Sequence, residues 1–68
     1  MLDKRSLSLA GHRTSIALEP AFWTVLTAIA DERAVTLTGL IAQIDAIRTP
    51  EQNLASALRV FALQHRPV

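Results

Sequence analysis

The chain has 68 residues, half of them apolar, 19% charged and none cysteine, with a formal net charge of +1. The apolar content excludes a disordered tail, and the missing cysteines exclude disulfide frameworks, thiolate zinc sites and cysteine nucleophiles. No apolar run approaches the ~20 residues of a membrane span, and the stretch after Lys4 and Arg5 is too short and too polar for a signal peptide, so a cytoplasmic location is expected.

A core of this size is marginal without a disulfide or metal staple, and the usual remedy is a partner chain. A homodimer is therefore expected. The small net charge gives no global argument for nucleic acid, but its distribution does say something. Through Leu18 the chain carries Lys4, Arg5 and Arg13 against Asp3 alone, whereas residues 19–51 hold five acids and two bases. The N-terminal segment is the basic part, and a dimer presents it twice.

The first eighteen residues read in period two. Leu7 and Leu9 alternate with Ser6, Ser8 and Ala10, and beyond Gly11, Thr14, Ile16 and Leu18 alternate with Arg13, Ser15 and Ala17. Such alternation indicates strand. Two arrangements fit: an intrachain hairpin about Ala10 and Gly11, or a single true strand, about residues 12–18, that pairs with the same segment of another chain. Either ribbon must lie on helices, because two strands alone are not stable.

At Glu19 and Pro20 the period changes. Proline suits a first helical turn, and Phe22, Val25, Leu26, Ile29 and Arg33 follow at helical spacing, with Trp23 and Ala30 widening the stripe. This predicts a first helix over about 20–33. Thr36 is a plausible N-cap for a second, about 36–48, with Leu37, Leu40, Ile41, Ile44 and Ile47 on one stripe and Pro50 ending it. A third helix is predicted over about 51–64. Leu54, Ala57, Leu58 and Phe61 form its main stripe, while Val60 and Leu63 give it a second apolar surface. The tail, residues 65–68, is expected to fray.

No constellation suggests catalysis. His12 and His65 stand far apart, each beside an arginine, and there is no metal-ligand spacing and no glycine-rich loop. Asp45 and Arg48 have the spacing of an intrahelical ion pair. No enzyme activity, cofactor or metal is expected, and no helix has the cationic polar face of a membrane-surface binder. Nucleic-acid binding rests on the strand, since a two-stranded ribbon fits the DNA major groove. With Thr14, Ile16 and Leu18 inward, the outer face shows Arg13, Ser15 and Ala17. Arginine can fork onto guanine, serine can bond several base edges, and alanine can touch only a thymine methyl. Thr36 and Thr38 could hold a phosphate at the start of the second helix.

The segments Gly11-His12-Arg13-Thr14-Ser15, Leu18-Glu19-Pro20-Ala21-Phe22-Trp23, Leu40-Ile41-Ala42-Gln43-Ile44-Asp45 and Asn53-Leu54-Ala55-Ser56-Ala57-Leu58-Arg59 carry a resemblance. Over about residues 4–63 the chain resembles the ribbon-helix-helix superfamily of bacterial DNA-binding proteins, the Arc and MetJ type. More closely, these segments are similar to a branch of small, mostly uncharacterised bacterial proteins. The resemblance implies a mainly α fold with one short N-terminal strand, in an intertwined homodimer sharing a two-stranded antiparallel ribbon. The third helix goes beyond the minimal family unit and could mediate higher-order assembly.

The resemblance further implies base contacts from Arg13, Ser15 and Ala17. Phosphate contacts fall on the start of the second helix, Thr36, Thr38 and Gly39, to which the basic N-terminus adds Lys4 and Arg5. Ile16, Leu18, Phe22, Leu26, Ile29, Leu40, Ile41 and Ile44 are implied as core, joined by Trp23 as a core or interface anchor. The expected function is sequence-specific binding of double-stranded DNA by a transcriptional regulator. The alternative is a dimeric protein-interaction module, antitoxin-like or scaffolding, that uses Val60 and Leu63 and has no DNA role.

Overall fold

Strand β1 spans Asp3–Leu9 and strand β2 spans His12–Leu18 in the computed structural model, which describes residues 1–67. Helices α1, α2 and α3 follow at Pro20–Glu32, Leu37–Ile47 and Leu54–His65. The ribbon is thus a hairpin made by one chain, the first of the two arrangements that the alternation allows, and the one-strand form implied by the resemblance is corrected to two. The strands pair antiparallel in full register, from Asp3 opposite Leu18 to Leu9 opposite His12. Ala10 and Gly11 join them with φ of 49° and 81°, both in the left-handed region that a two-residue type I′ turn requires. The alternation of Leu7 and Leu9 marks the end of β1, whereas its charged start at residues 3–5 carries no such pattern. The strand is held in place by Leu7 and Leu9, which pack inward, and by the Trp23 Nε1–H, which donates to the Asp3 carbonyl at 2.7 Å.

Each helix end has a local cause. Pro20 occupies the first position of α1, where the missing N–H costs nothing, and the Glu19 carbonyl accepts from the Phe22 amide at 2.9 Å. The end of α1 has no glycine or proline. It closes instead through Ala34 at φ 57°, whose N–H donates to the Asp31 carbonyl while the Val35 N–H reaches back to that of Ala30. This is a Schellman closure with alanine where glycine is usual. Thr36 caps α2 by accepting the Gly39 amide at 2.9 Å, and Asn53 caps α3 by accepting that of Ser56 at 2.8 Å. The third helix therefore starts at Leu54 and not near Glu51, because residues 49–52 form a turn closed by the Gln52 amide on the Thr49 carbonyl. At its far end His65 belongs to α3 and stacks on Phe61 with ring centroids 4.3 Å apart, so fraying does not begin there. Val68, the last residue of the expected tail, lies outside the described residues.

The core lies between the inner face of the hairpin and the three helices. β1 packs on α2, β2 packs on α3, and the helices pack on one another. Ile16, Leu18, Trp23, Leu26, Ile29, Leu40, Ile41 and Ile44 are all buried, and Phe22 is half-buried against them. Leu9 and three residues of α3, Ala57, Leu58 and Ala62, complete the cluster.

This burial is achieved within one chain. The accessible surface is 4503 Å², within a tenth of the ~4,200 Å² expected for a folded monomer of this mass. Within the chain, α3 and β1 help to cover that core. Among the described residues, the large apolar side chains left exposed are Met1, Leu2, Ile47, Val60 and Leu63.

Candidate nucleic-acid interface

Side chains alternate across a strand, so the register sorts the hairpin into two faces. The inner face carries Leu7, Leu9, Ile16 and Leu18 toward the helices. The outer face carries three cross-strand rows: Lys4 opposite Ala17, Ser6 opposite Ser15, and Ser8 opposite Arg13. Lys4, Ser6, Ser8, Arg13 and Ser15 are exposed, and Ala17 is half-buried. The rows are knit laterally, with the Ser6 and Ser15 hydroxyls 3.3 Å apart and the Arg13 guanidinium donating to the Ser8 hydroxyl at 3.2 Å. Two cations, three hydroxyls and no carboxylate make up this face.

The other cations of the chain are engaged elsewhere. Arg5 faces the opposite way from Lys4. It pairs with Asp3 at 3.2 Å and lies over the Trp23 ring, 4.7 Å from its centroid. Arg48 donates to Asp45 at 2.7 Å and to the Gln52 carbonyl at 2.8 Å, the ion pair that the spacing suggests. Arg59 reaches across 40 residues to Glu19 at 3.0 Å and lies near Phe22, and Arg33 lies over Phe61. The Glu19 carboxyl is held below its ordinary pKa, first by a hydrogen bond from its own backbone and then by Arg59. Among the described residues, Lys4, Arg13 and Arg66 are the cations with neither a carboxylate nor a ring for a partner, and two of the three lie on the outer face.

The start of α2 forms a separate group. Thr36 is exposed, while Thr38 and Gly39 are half-buried. The Thr36 cap occupies the Gly39 amide, and Gly39 has its own reason: a Cβ there would lie 3.0 Å from the Thr36 hydroxyl. The amides of Leu37 and Thr38 remain as the unpaired donors of a first helical turn. A shallow cleft lined by Leu9, His12, Thr14, Asp45 and Arg48 sets the turn end of the hairpin beside the C-terminal end of α2. Eleven residues of helix, about 16 Å, separate that point from Thr36. One chain therefore gathers Lys4, Arg13, Ser15 and Ala17 on one face and holds Thr36, Thr38 and Gly39 apart from it.

Sequence reasoning missed Ser6 and Ser8 as part of this face. Their signal was present, since both occupy the polar positions of an alternating segment before a glycine, but only the hairpin register shows that they stand beside Ser15 and Arg13.

The ribbon-helix-helix domain family model matches residues 2–66. Among solved structures, the chain is similar to an uncharacterized protein from Bordetella pertussis Tohama I, with a TM-score of 0.82 and 38% identity over 94% of this chain. It spans about half of that protein, 54% of its length. No curated protein matches. No helix of the described residues is long and apolar enough to cross a membrane. Strand pairing, helix order and the family match agree, and the chain belongs to the ribbon-helix-helix domain family.

Proposed function

We propose that the protein is a DNA-binding regulator that acts as a homodimer and presents the outer face of its hairpin to the major groove. The observation that carries this reading is the division of the cations. Those that the fold uses are tied to carboxylates or rings, while Lys4 and Arg13 are directed outward among hydroxyls with no carboxylate partner among the described residues. Arg13 and Ser15 read base edges, Ala17 touches at most a thymine methyl, and the Thr36 and Thr38 hydroxyls with the Leu37 and Thr38 amides hold a phosphate at the start of α2, while Gly39 drops out because its amide is taken by the Thr36 cap. Arg5 drops out of the phosphate-contacting set, because its guanidinium lies on the inner side with Asp3 and Trp23.

The hairpin also supplies a way to dimerise. Its two edges differ: β1 carries the charges of Asp3, Lys4 and Arg5 and is protected against further pairing, while β2 carries only Arg13 as a fixed charge. The two-residue turn makes Leu9 and His12 a hydrogen-bonded pair. By alternation, the backbone groups of Arg13, Ser15 and Ala17 then point to the open edge of β2. Antiparallel pairing of two such edges about Ser15 overlaps the whole strand and sets Arg13 opposite the partner subunit's Ala17. Centring on Arg13 would instead oppose two like charges, which is unfavourable.

A titration of duplex DNA, with the dimer checked by light scattering, tests the reading. Arg13→Ala is expected to weaken specific binding by about 1–3 kcal/mol for each bidentate contact. Unchanged affinity would remove Arg13 from that role. A second reading, a protein-interaction module, is favoured by the exposure of Ile47, Val60 and Leu63. If Val60→Asp preserved DNA binding and the dimer but abolished capture of a partner protein, that function would stand beside the first.

A further inference from the structure

Pairing two β2 edges gives a sheet of four strands in the order β1, β2, partner β2, partner β1, and its width is the point. Strands lie about 4.8 Å apart, so the outer strand axes of such a sheet stand about 14 Å apart. The major groove is about 12 Å wide and admits a two-stranded ribbon. The central pair therefore fits inside, while the β1 strands lie above the groove walls, where the phosphates are.

Resting on the DNA-binding reading above, we infer that β1 is a backbone-clamping strand: Lys4, Ser6 and Ser8 grip the phosphates that flank the groove while β2 reads within it. The residues suit that division. Each of the three is exposed and shares the outer face with a β2 residue directly opposite. Lysine supplies a point charge and serine a hydroxyl donor, and both bind phosphate without reading sequence. Ser8 has a second task. Its hydroxyl accepts from Arg13 at 3.2 Å, so it sets the angle at which that guanidinium enters the groove. Nothing comparable exists for Arg5, one residue along, which turns inward to Trp23.

The test compares salt dependence for wild type, Lys4→Gln and the double variant Ser6→Ala, Ser8→Ala, each titrated onto several ~20-base-pair duplexes of unrelated sequence. Circular dichroism first confirms that each variant keeps its fold. On duplexes that lack its base target Arg13 meets a phosphate instead, so Lys4 and Arg13 from two chains engage four phosphates; the wild-type slope of log affinity against log salt is then expected near −3.6, and Lys4→Gln should bring it to about −1.8. The weakening should be equal on every duplex. The serine variant should weaken binding on all duplexes and leave the slope unchanged, because hydroxyls displace no counterion. If wild type binds but Lys4→Gln keeps the full slope, or weakens only certain sequences, the clamping strand is wrong and the DNA reading survives. If wild type fails to bind even at about 50 mM salt, both fall.

Discussion

Lys4 and Arg5 are neighbours in the chain and opposites in the fold. Arg5 lies against the Trp23 ring and Asp3, so its charge is already answered within the molecule. Lys4 stands on the other face, opposite Ala17, with no carboxylate or ring engaged. The same contrast separates the two faces of the whole hairpin. Leu9, Ile16 and Leu18 on one side close the core, while Ser6, Ser8, Arg13 and Ser15 on the other do little for it. A charge count over the N-terminal segment therefore overstates what is offered to a ligand, and strand parity corrects it.

Several substitutions break or sharpen this contrast. The largest effect is expected on the inner face. Leu18 is fully buried, and Leu18→Ala should destabilise the fold by about 2–5 kcal/mol in urea unfolding, whereas Ser15→Ala on the outer face should stay within about 0.5 kcal/mol. A comparable loss from both would mean that the outer face is covered in the free protein. Next come the paired cations. Arg5→Ala should lower stability by about 0.5–1 kcal/mol through the lost ring contact, with the DNA salt slope unchanged. Arg13→Ala should do the reverse, leaving the unfolding midpoint alone and weakening DNA binding.

The turn that holds the two faces in register is open to improvement. Ala10 sits at φ 49°, a conformation that asparagine tolerates better, so Ala10→Asn should raise stability by about 0.5–1 kcal/mol. The smallest effect belongs to Glu19. Its depressed pKa contributes stability that is complete above the ordinary carboxyl range and fades as pH falls through the depressed value. Glu19→Gln should therefore flatten the acid limb of a pH–stability profile and change little near neutrality. An unaltered acid limb would show that the Arg59 contact does not contribute in solution.

Much of this architecture was legible in the sequence for identifiable reasons. Period-two alternation over residues 13–18, Pro20 after Glu19, and the stripe through Leu40, Ile41 and Ile44 each have one dominant physical cause, and the structure follows them. Strand β1 was the ambiguous part. Its first residues are charged and its stability comes from a distant tryptophan and from the core, neither of which local pattern reveals. The start of α3 falls later than the expected residue 51 because the Asn53 side chain caps the helix there, a contact that the apolar stripe does not reveal. For the candidate interface, Arg13 and Ser15 could be found from parity alone. The separation of Lys4 from Arg5, and the addition of Ser6 and Ser8, required the cross-strand register.

The central claim is that outward cations of the hairpin serve DNA while inward ones serve the fold. The most direct test is the salt slope of duplex binding for wild type beside Arg5→Gln and the double variant Lys4→Gln, Arg13→Gln. Wild type and Arg5→Gln are expected to share a slope near −3.6, and the double variant should lose nearly all of it. Equal slopes for all three proteins, or a loss confined to Arg5→Gln, would contradict the division of the two faces.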